Sequence, residues 1–489
     1  MRLPEWLAWR AAVTPERLAL VWGERQWTFQ ALAREADGWA RRLAGLGVGF
    51  GDRVALCLSN RPETVILVHA ASRLGAVLVP LNVRLAAAEL LRLLGDAEPR
   101  VVLVETATRD KVAAWSGHVV DIDRDLDGLS DRCVDLRRDV ESDDVHTLVY
   151  TSGTTARPKG VVLTYGNHWW SALGSSLNLG HVASDRWLLC LPLFHVGGLA
   201  ILFRSVIGGF AVELHERFDA AAANEAIDRG VTLASVVGTM LWRMLEERGG
   251  QRYPAHLRAI LLGGGPAPRP LLERCAAMAV PVLQTYGLTE SASQVTTLAP
   301  EDALRKLGSA GKPLYPTRVR ITRQNGSEAA PGEPGEIEIR GPVVTPGYWR
   351  RPELTEQVFR DGWLRTGDVG YLDADGYLYV LDRREDLVLT GGENVYPAEV
   401  EAVLLGHPAV AEAAVVGISD LEWGQRVVAA VVLRTGANVS EEELVAWCRA
   451  QLAGYKVPRA IRFVAELPRT ASGKVQRWRV RQQWEEDRI

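Results

Sequence analysis

Short runs of β-branched and aliphatic residues alternate along most of the chain with stretches of helical period. DRVALCL (52–58) reads as a strand, ETVILVHAASRLG (63–75) as a helix and AVLVPL (76–81) as a second strand. This β-α-β rhythm predicts parallel sheets covered by helices. From about residue 312 to 381 the pattern changes to short strands divided by turn residues, as in RVRIT, PGEPGEIEIRG and YLDADGYLYVLD, which predicts a small antiparallel sheet or barrel. Beyond residue 386 a new unit begins with ENVYPAEVEAVLLGHPAVAEAAVVGI and RVVAAVVL, followed by the amphipathic EEELVAWCRAQL. DRRED (382–386) joins the two parts as a charged link with nothing apolar to bury. The expected fold class is therefore α/β: a large N-terminal domain over 1–381, with 312–381 as its β-rich subdomain, a hinge at 382–386, and a small α+β C-terminal lid over 387–489.

Composition narrows the function. The 489 residues are 47% hydrophobic, ample for more than one buried core. A net charge of −4, with acids and bases interspersed, leaves no nucleic-acid footprint, so the expected partner is a small molecule. Five cysteines (Cys57, Cys133, Cys190, Cys275, Cys448) lack C-x-x-C spacing, which argues against a disulfide framework or a zinc site and fits a reducing cytosol. The first residues, MRLPEWLAWRAAVTPERLAL, carry an early acid and proline and no continuous apolar core, so they do not read as a signal peptide. Apolar runs elsewhere stop well short of the ~20 residues a membrane helix needs. A cytoplasmic protein without a transmembrane segment is expected, and a homo-oligomer is compatible with the sequence.

Two lysine segments stand out in a chain with six Lys against fifty Arg: YTSGTTARPKG (150–160) and PRTASGK (468–474). A compact ammonium reaches one oxygen where a guanidinium fork does so poorly. In the first segment Thr151, Ser152, Thr154 and Thr155 place four hydroxyls beside Gly153, whose bare backbone N–H can approach a ligand closely. Such a loop suits phosphate oxygens. It lies between the strand-like runs HTLVY and VVLTY, and Pro158 before Lys159 with Gly160 after it excludes a Walker A loop. A solvated Ser/Thr/Gly turn is the other reading of the segment taken alone.

YTSGTTARPKG resembles the phosphate loop of the ANL superfamily, which holds acyl-CoA synthetases, adenylation domains of nonribosomal peptide synthetases, and luciferases. The other signatures follow in that superfamily's order: LPLFHVGG (191–198), LLGGGPAP (261–268), QTYGLTES (284–291), GEIEIRG (335–341), WLRTGD (363–368), DRREDLVLTGGENVYPAEVE (382–401) and PRTASGK (468–474). Together they reach across nearly the whole chain. LPLFHVGGLAILFRSVIGG, LLGGGPAP and YGLTESASQVTTL look most like the acid–CoA ligases that act on o-succinylbenzoate in menaquinone biosynthesis.

The resemblance implies a two-step ligase that activates a carboxylate as an acyl-adenylate and then forms a thioester, with ATP, Mg2+ and coenzyme A. It assigns Lys474 to bridge the carboxylate and the α-phosphate, a position worth roughly 2.7–4 kcal/mol for one well-placed group. Glu290 would hold Mg2+. Tyr286 would stack on adenine, Asp368 would accept ribose hydroxyls, and Arg383 would reach ribose or phosphate. Gly287 and Thr289 belong to the same nucleotide motif, with Gly264 and Gly265 beside it. His195 would stand at the gate between the nucleotide and the thiol tunnel and position the acyl carboxylate. Glu385 would be the hinge about which the lid rotates, withdrawing Lys474 and bringing Gly391 and Gly392 to the thiol tunnel.

Arg204 bears most directly on the substrate. It lies in the apolar stretch LAILFRSVIGGF, seven residues after Gly197 and four before Gly208, so helical spacing puts all three on one face. A buried arginine needs a carboxylate, which a dicarboxylic substrate could supply; an internal pair with Glu213 or another acid is the alternative. Gly263, Ser293 and Gln294 are further candidates for the acyl pocket. Two departures from the superfamily pattern stand out: Ala156 where the phosphate loop usually has glycine, and Asp382 where glycine commonly precedes the hinge arginine. The expected protein is an acid–CoA ligase for an aromatic dicarboxylate; a ligase for an aryl or fatty acid is the alternative, and a non-catalytic nucleotide-binding relative the reading from a different class.

Overall fold

Val77–Pro80 and Val101–Val104 are buried at every position, as strands covered on both faces must be. In the computed structural model they lie in a seven-stranded sheet, ordered Gly347–Tyr348, Lys159–Thr164, Val145–Thr151, Val77–Pro80, Arg53–Cys57, Val101–Val104, Val119–Asp121. Its centre is parallel and its Gly347–Tyr348 edge antiparallel. A nine-stranded sheet contains the parallel neighbours Val282–Tyr286, Ala259–Gly263, Leu233–Val237, Arg186–Leu189, Ala211–Leu214 and Leu18–Trp22. The structure describes residues 1–489 except 126–127, 152–157, 265–268, 304, 324, 383–386, 469–474, 476 and 487–489.

The described residues form two compact units: 1–83, 96–150 and 160–381 make the first, and 84–95, 151–159 and 382–489 the second. In the first, one apolar core joins Val54, Leu56, Leu78 and Leu103 of the seven-stranded sheet to Leu189, Leu214, Leu233 and Leu261 of the nine-stranded one. Helices Pro62–Leu74 and Val196–Gly208 contribute to the same core. All of Pro62–Leu74 is buried except Glu63, so the helix is enclosed on nearly every side. Proline opens that helix, and Gly75 at φ +71 closes it in the left-handed conformation that glycine tolerates best.

Arg318–Thr322, Gly335–Arg340, Trp363–Leu372, Phe359–Arg360 and Leu378–Asp382 form the expected small antiparallel sheet. The second unit is α+β. In its hairpin Val410–Asp420/Gly424–Leu433, the second strand pairs along its other edge with Val388–Thr390, which Glu393–Val395 joins, and with the parallel strand Ala460–Phe463. Apolar clusters occupy both faces of this sheet, one with Val400 and Leu444, the other with Leu467 and Val480. Ser440 and Glu443 make a reciprocal capping box at the start of Glu441–Arg449. Among the described residues no helix is long and apolar enough to cross a membrane.

Histidines interrupt the first unit's core. His146 stacks on Tyr165 at 4.0 Å and shares a 2.7 Å hydrogen bond with Ser72, while His168 packs against Phe203 and shares a 3.0 Å bond with Thr147. Burial holds His69 at about 4, His168 at about 3 and His146 well below its ordinary value. Each is neutral when folded and binds a proton near pH 6.5 when unfolded, so stability is intact above that pH and declines below it, until the folded groups also titrate. The expected slope is up to about 1.4 kcal/mol per pH unit for each histidine. Chemical denaturation at a series of pH values between 7 and 5 measures it; a flat profile would contradict the buried, neutral assignment.

Candidate active site

Ligands of open α/β sheets sit beyond the carboxyl ends of the strands. Ala259–Gly263 and Val282–Tyr286 run parallel and end side by side, the chain leaving through Gly264 and Gly287. Gly264 has φ +82, and a Cβ there would come within 2.9 Å of Val237. At Gly287 a Cβ would overlap the Ser293 carbonyl, because residues 288–293 fold back over it. That turn contains the 3-10 segment Thr289–Ser291, then Ala292 at φ +51 and Ser293 at φ +106. Two successive non-glycine residues in positive φ mark a strained segment held by its surroundings. Ser171 donates to the Ala292 carbonyl at 2.8 Å, and Ser291 lies 3.2 Å from the Ser293 carbonyl.

The turn fixes two acidic groups. The Tyr286 hydroxyl donates to Asp368 Oδ2 at 2.7 Å, joining the expected adenine and ribose residues. Glu290 Oε1 accepts from the Tyr348 hydroxyl at 2.8 Å, and its backbone carbonyl accepts from Thr345 N at 2.8 Å. Among the described residues no cluster of three metal-ligating side chains occurs. A carboxylate oriented in this way fits Mg2+, which keeps several waters and takes one or two carboxylates together with phosphates.

The two residues expected at the acid are His195, just before helix Val196–Gly208, and Arg204 within it. His195 flanks its start, in extended conformation and edge-on to Phe194 at 4.8 Å. Arg204 follows nine residues on, about 13 Å along the axis by helical rise. It is 3% exposed, lies 5.5 Å from the Trp187 ring and donates to Ser293 Oγ at 3.3 Å, while its Nε has no partner. No described carboxylate lies within ion-pair distance of it. Glu213, the internal acid considered from the sequence, pairs with Arg186 instead. Burial pulls the Arg204 guanidinium down to about 9. Burial first, and the Arg204 charge second, holds His168 at about 3 and His181 at about 4. His168 Nδ1 and His181 Nε2 are also buried without partners.

The remaining residues divide between pocket and scaffold. Gly263 ends its strand with the Thr285 methyl 3.0 Å from where a Cβ would stand. Gln294 donates to Thr297 at 2.8 Å and to Thr285 at 3.3 Å, which places its amide nitrogen in a cross-strand polar group, and its Oε1 is buried without a partner. In the second unit, Thr151 carries a buried hydroxyl with no partner among the described residues, and Lys159 opens strand Lys159–Thr164. Gly391 and Gly392 form a turn at φ +57 and +83, and Gly391 has no side chain to keep the Trp423 ring off its backbone. Ser152, Gly153, Thr154, Thr155, Gly265, Arg383, Glu385 and Lys474 lie outside the described residues. Sequence reading missed Tyr348, the partner of Glu290; its signal was TPGYW (345–349), an aromatic behind a Pro-Gly turn.

The AMP-binding enzyme family model matches residues 7–349, and the AMP-binding enzyme C-terminal domain model matches 399–474. The chain is 53% identical to the 2-succinylbenzoate–CoA ligase of Geobacillus kaustophilus over 476 residues, 97% of this chain and 96% of that protein. It resembles o-succinylbenzoate CoA synthetase from Bacillus subtilis, solved as a double mutant bound with its product analogue OSB-NCoA, with a TM-score of 0.94, 46% identity and 99% of each chain covered. The same enzyme in complex with ATP and magnesium gives a TM-score of 0.77 and 45% identity, over 99% of this chain and 100% of that one.

Gly287→Ala is expected to abolish ATP binding measured by calorimetry, because the added carbon displaces the turn that carries Glu290. Gly38→Ala, where nothing lies within 4 Å of the added carbon, leaves binding unchanged.

Proposed function

The chain belongs to the family of AMP-binding enzymes, and on that footing we propose that it is a 2-succinylbenzoate–CoA ligase, converting 2-succinylbenzoate, ATP and coenzyme A to 2-succinylbenzoyl-CoA, AMP and diphosphate in menaquinone biosynthesis. A carboxylate cannot acylate a thiol directly, since oxide is a very poor leaving group. Attack of a carboxylate oxygen on the α-phosphate forms the acyl-adenylate and releases diphosphate; attack of the thiol then releases AMP. Both steps bring anions together, and fixed cations aimed at that charge lower the barrier.

The observation that carries the substrate is Arg204, a buried guanidinium that no acid among the described residues meets. One carboxylate of the substrate is activated near His195 while Arg204 holds the other. Tyr286 and Asp368 form the adenosine side, and Glu290, oriented by Tyr348, takes Mg2+. The ion's contribution is to neutralise phosphate charge. Lys474 serves adenylation and the Gly391–Gly392 turn serves thioester formation, with Glu385 as the pivot of the exchange. Five free thiols support a cytosolic setting.

Arg204→Met is expected to lower kcat/KM for 2-succinylbenzoate by about 100-fold or more, as loss of one partner of a buried charge pair does, and to change turnover of benzoate or medium-chain acids far less. Equal losses on mono- and dicarboxylates, or better use of monocarboxylates by the parent enzyme, would instead favour an aryl- or fatty-acid ligase. Lys474→Ala should abolish diphosphate release yet leave thioester formation from supplied acyl-adenylate largely intact; equal loss of both half-reactions would remove the division of labour.

A further inference from the structure

The phosphate-binding segment leaves the seven-stranded sheet from strand Val145–Thr151 and re-enters it at Lys159–Thr164. At the root of that excursion the Tyr150 ring lies over Gly160, where a Cβ would come within 3.2 Å of the ring and 2.7 Å of Leu148. The Tyr150 hydroxyl donates to Asp96 Oδ2 at 2.7 Å. Arg351 binds the other Asp96 oxygen at 2.5 Å, and the Trp349 indole donates to the Asp96 carbonyl at 3.2 Å. The Trp349 backbone N–H closes the ring of contacts at the Gly160 carbonyl, 2.8 Å away. Three segments distant in sequence thus meet at both ends of the loop.

The backbone beside this ring is strained. Glu98 and Arg350 both have positive φ, +46 and +51, and they pair with each other at 2.7 Å. Arg53 donates to the Glu98 carbonyl at 2.7 Å and packs 5.7 Å from the Trp349 ring. Non-glycine residues stay in that region only where the surroundings over-determine them, and such places concentrate at functional sites. Here the strain falls two residues after Asp96 and one before Arg351, the residues that fix the Tyr150 hydroxyl.

We propose that Tyr150, locked by Asp96 and Arg351 and seated on Gly160, is a positioning residue that sets the stem of the phosphate loop for ATP. It touches neither substrate nor reacting atoms; it sets where the chain leaves and re-enters the sheet. Glycine stands at 160 because the Leu148 side chain and the Tyr150 ring together occupy the space of a side chain. The inference rests on the reading of 151–159 as the loop that receives the phosphates of ATP. Its effect is confined to the first half-reaction, because the acyl-adenylate no longer carries the outer two phosphates.

The test measures diphosphate release against ATP and against acid, together with thioester formation from supplied acyl-adenylate. In Tyr150→Phe the expected result is an ATP KM raised about tenfold, the size of one lost hydrogen bond to a charged acceptor, with acid KM and the second half-reaction unchanged. Asp96→Asn keeps an acceptor for the hydroxyl and should restore ATP KM to near the parent value; Asp96→Ala should reproduce the Tyr150→Phe defect and replaces that variant if it fails to fold. An unchanged ATP KM in Tyr150→Phe, or equal losses in both half-reactions, overturns the proposal. Absence of acid-dependent diphosphate release in the parent protein would instead remove the reading on which it rests.

Discussion

A guanidinium withdrawn from water demands an opposite charge, and Arg204 finds none among the described residues of its own chain. Its neighbours are an indole ring, a serine hydroxyl and two histidines that burial keeps neutral. The helix around it is apolar on every side and wedged into a core shared by two sheets, so the side chain cannot swing out to solvent. Leaving a buried charge uncompensated costs several kcal/mol. An anionic ligand removes that cost, and strong binding of a second carboxylate is the return.

The second unit shows the opposite solution. Lys456 is as deeply buried, yet Glu89 and Glu399 each meet its ammonium at 2.8 Å. Burial opposes the charged lysine, and the two carboxylates outweigh it, so its pKa stands above the ordinary value; burial likewise raises Glu399. A structural cation arrives with its counter-ions, whereas the cation at the candidate acid site arrives without them. That contrast separates scaffold from recognition more sharply than burial does.

The sequence made the chemistry legible where it is written in consecutive residues. The β-α-β rhythm yielded the parallel sheets, and the change of pattern near residue 312 yielded the antiparallel one. YGLTES pointed to Tyr286 and Glu290 through its resemblance to the superfamily's nucleotide motif. What could not be read were the partners. Tyr348 meets Glu290 across 58 residues and Tyr150 meets Asp96 across 54, and periodicity carries no information over such distances. For the same reason helical spacing placed Arg204 on a face without telling whether Glu213 shared it. The strand register settles that: Glu213 stands opposite Leu188 on the strand beside it, and its carboxylate turns to Arg186.

Because Arg204 lies on a helix that begins directly after His195, their separation is set largely by the rise of one helix. On the proposed reading the enzyme gauges its acid by length as well as by charge, as a caliper does with fixed jaws. Re-siting the cation by one turn would move the accepted span by about 5.4 Å, so neighbouring dicarboxylates of other lengths are reached by transplanting one arginine along the rod rather than by reshaping the pocket wall.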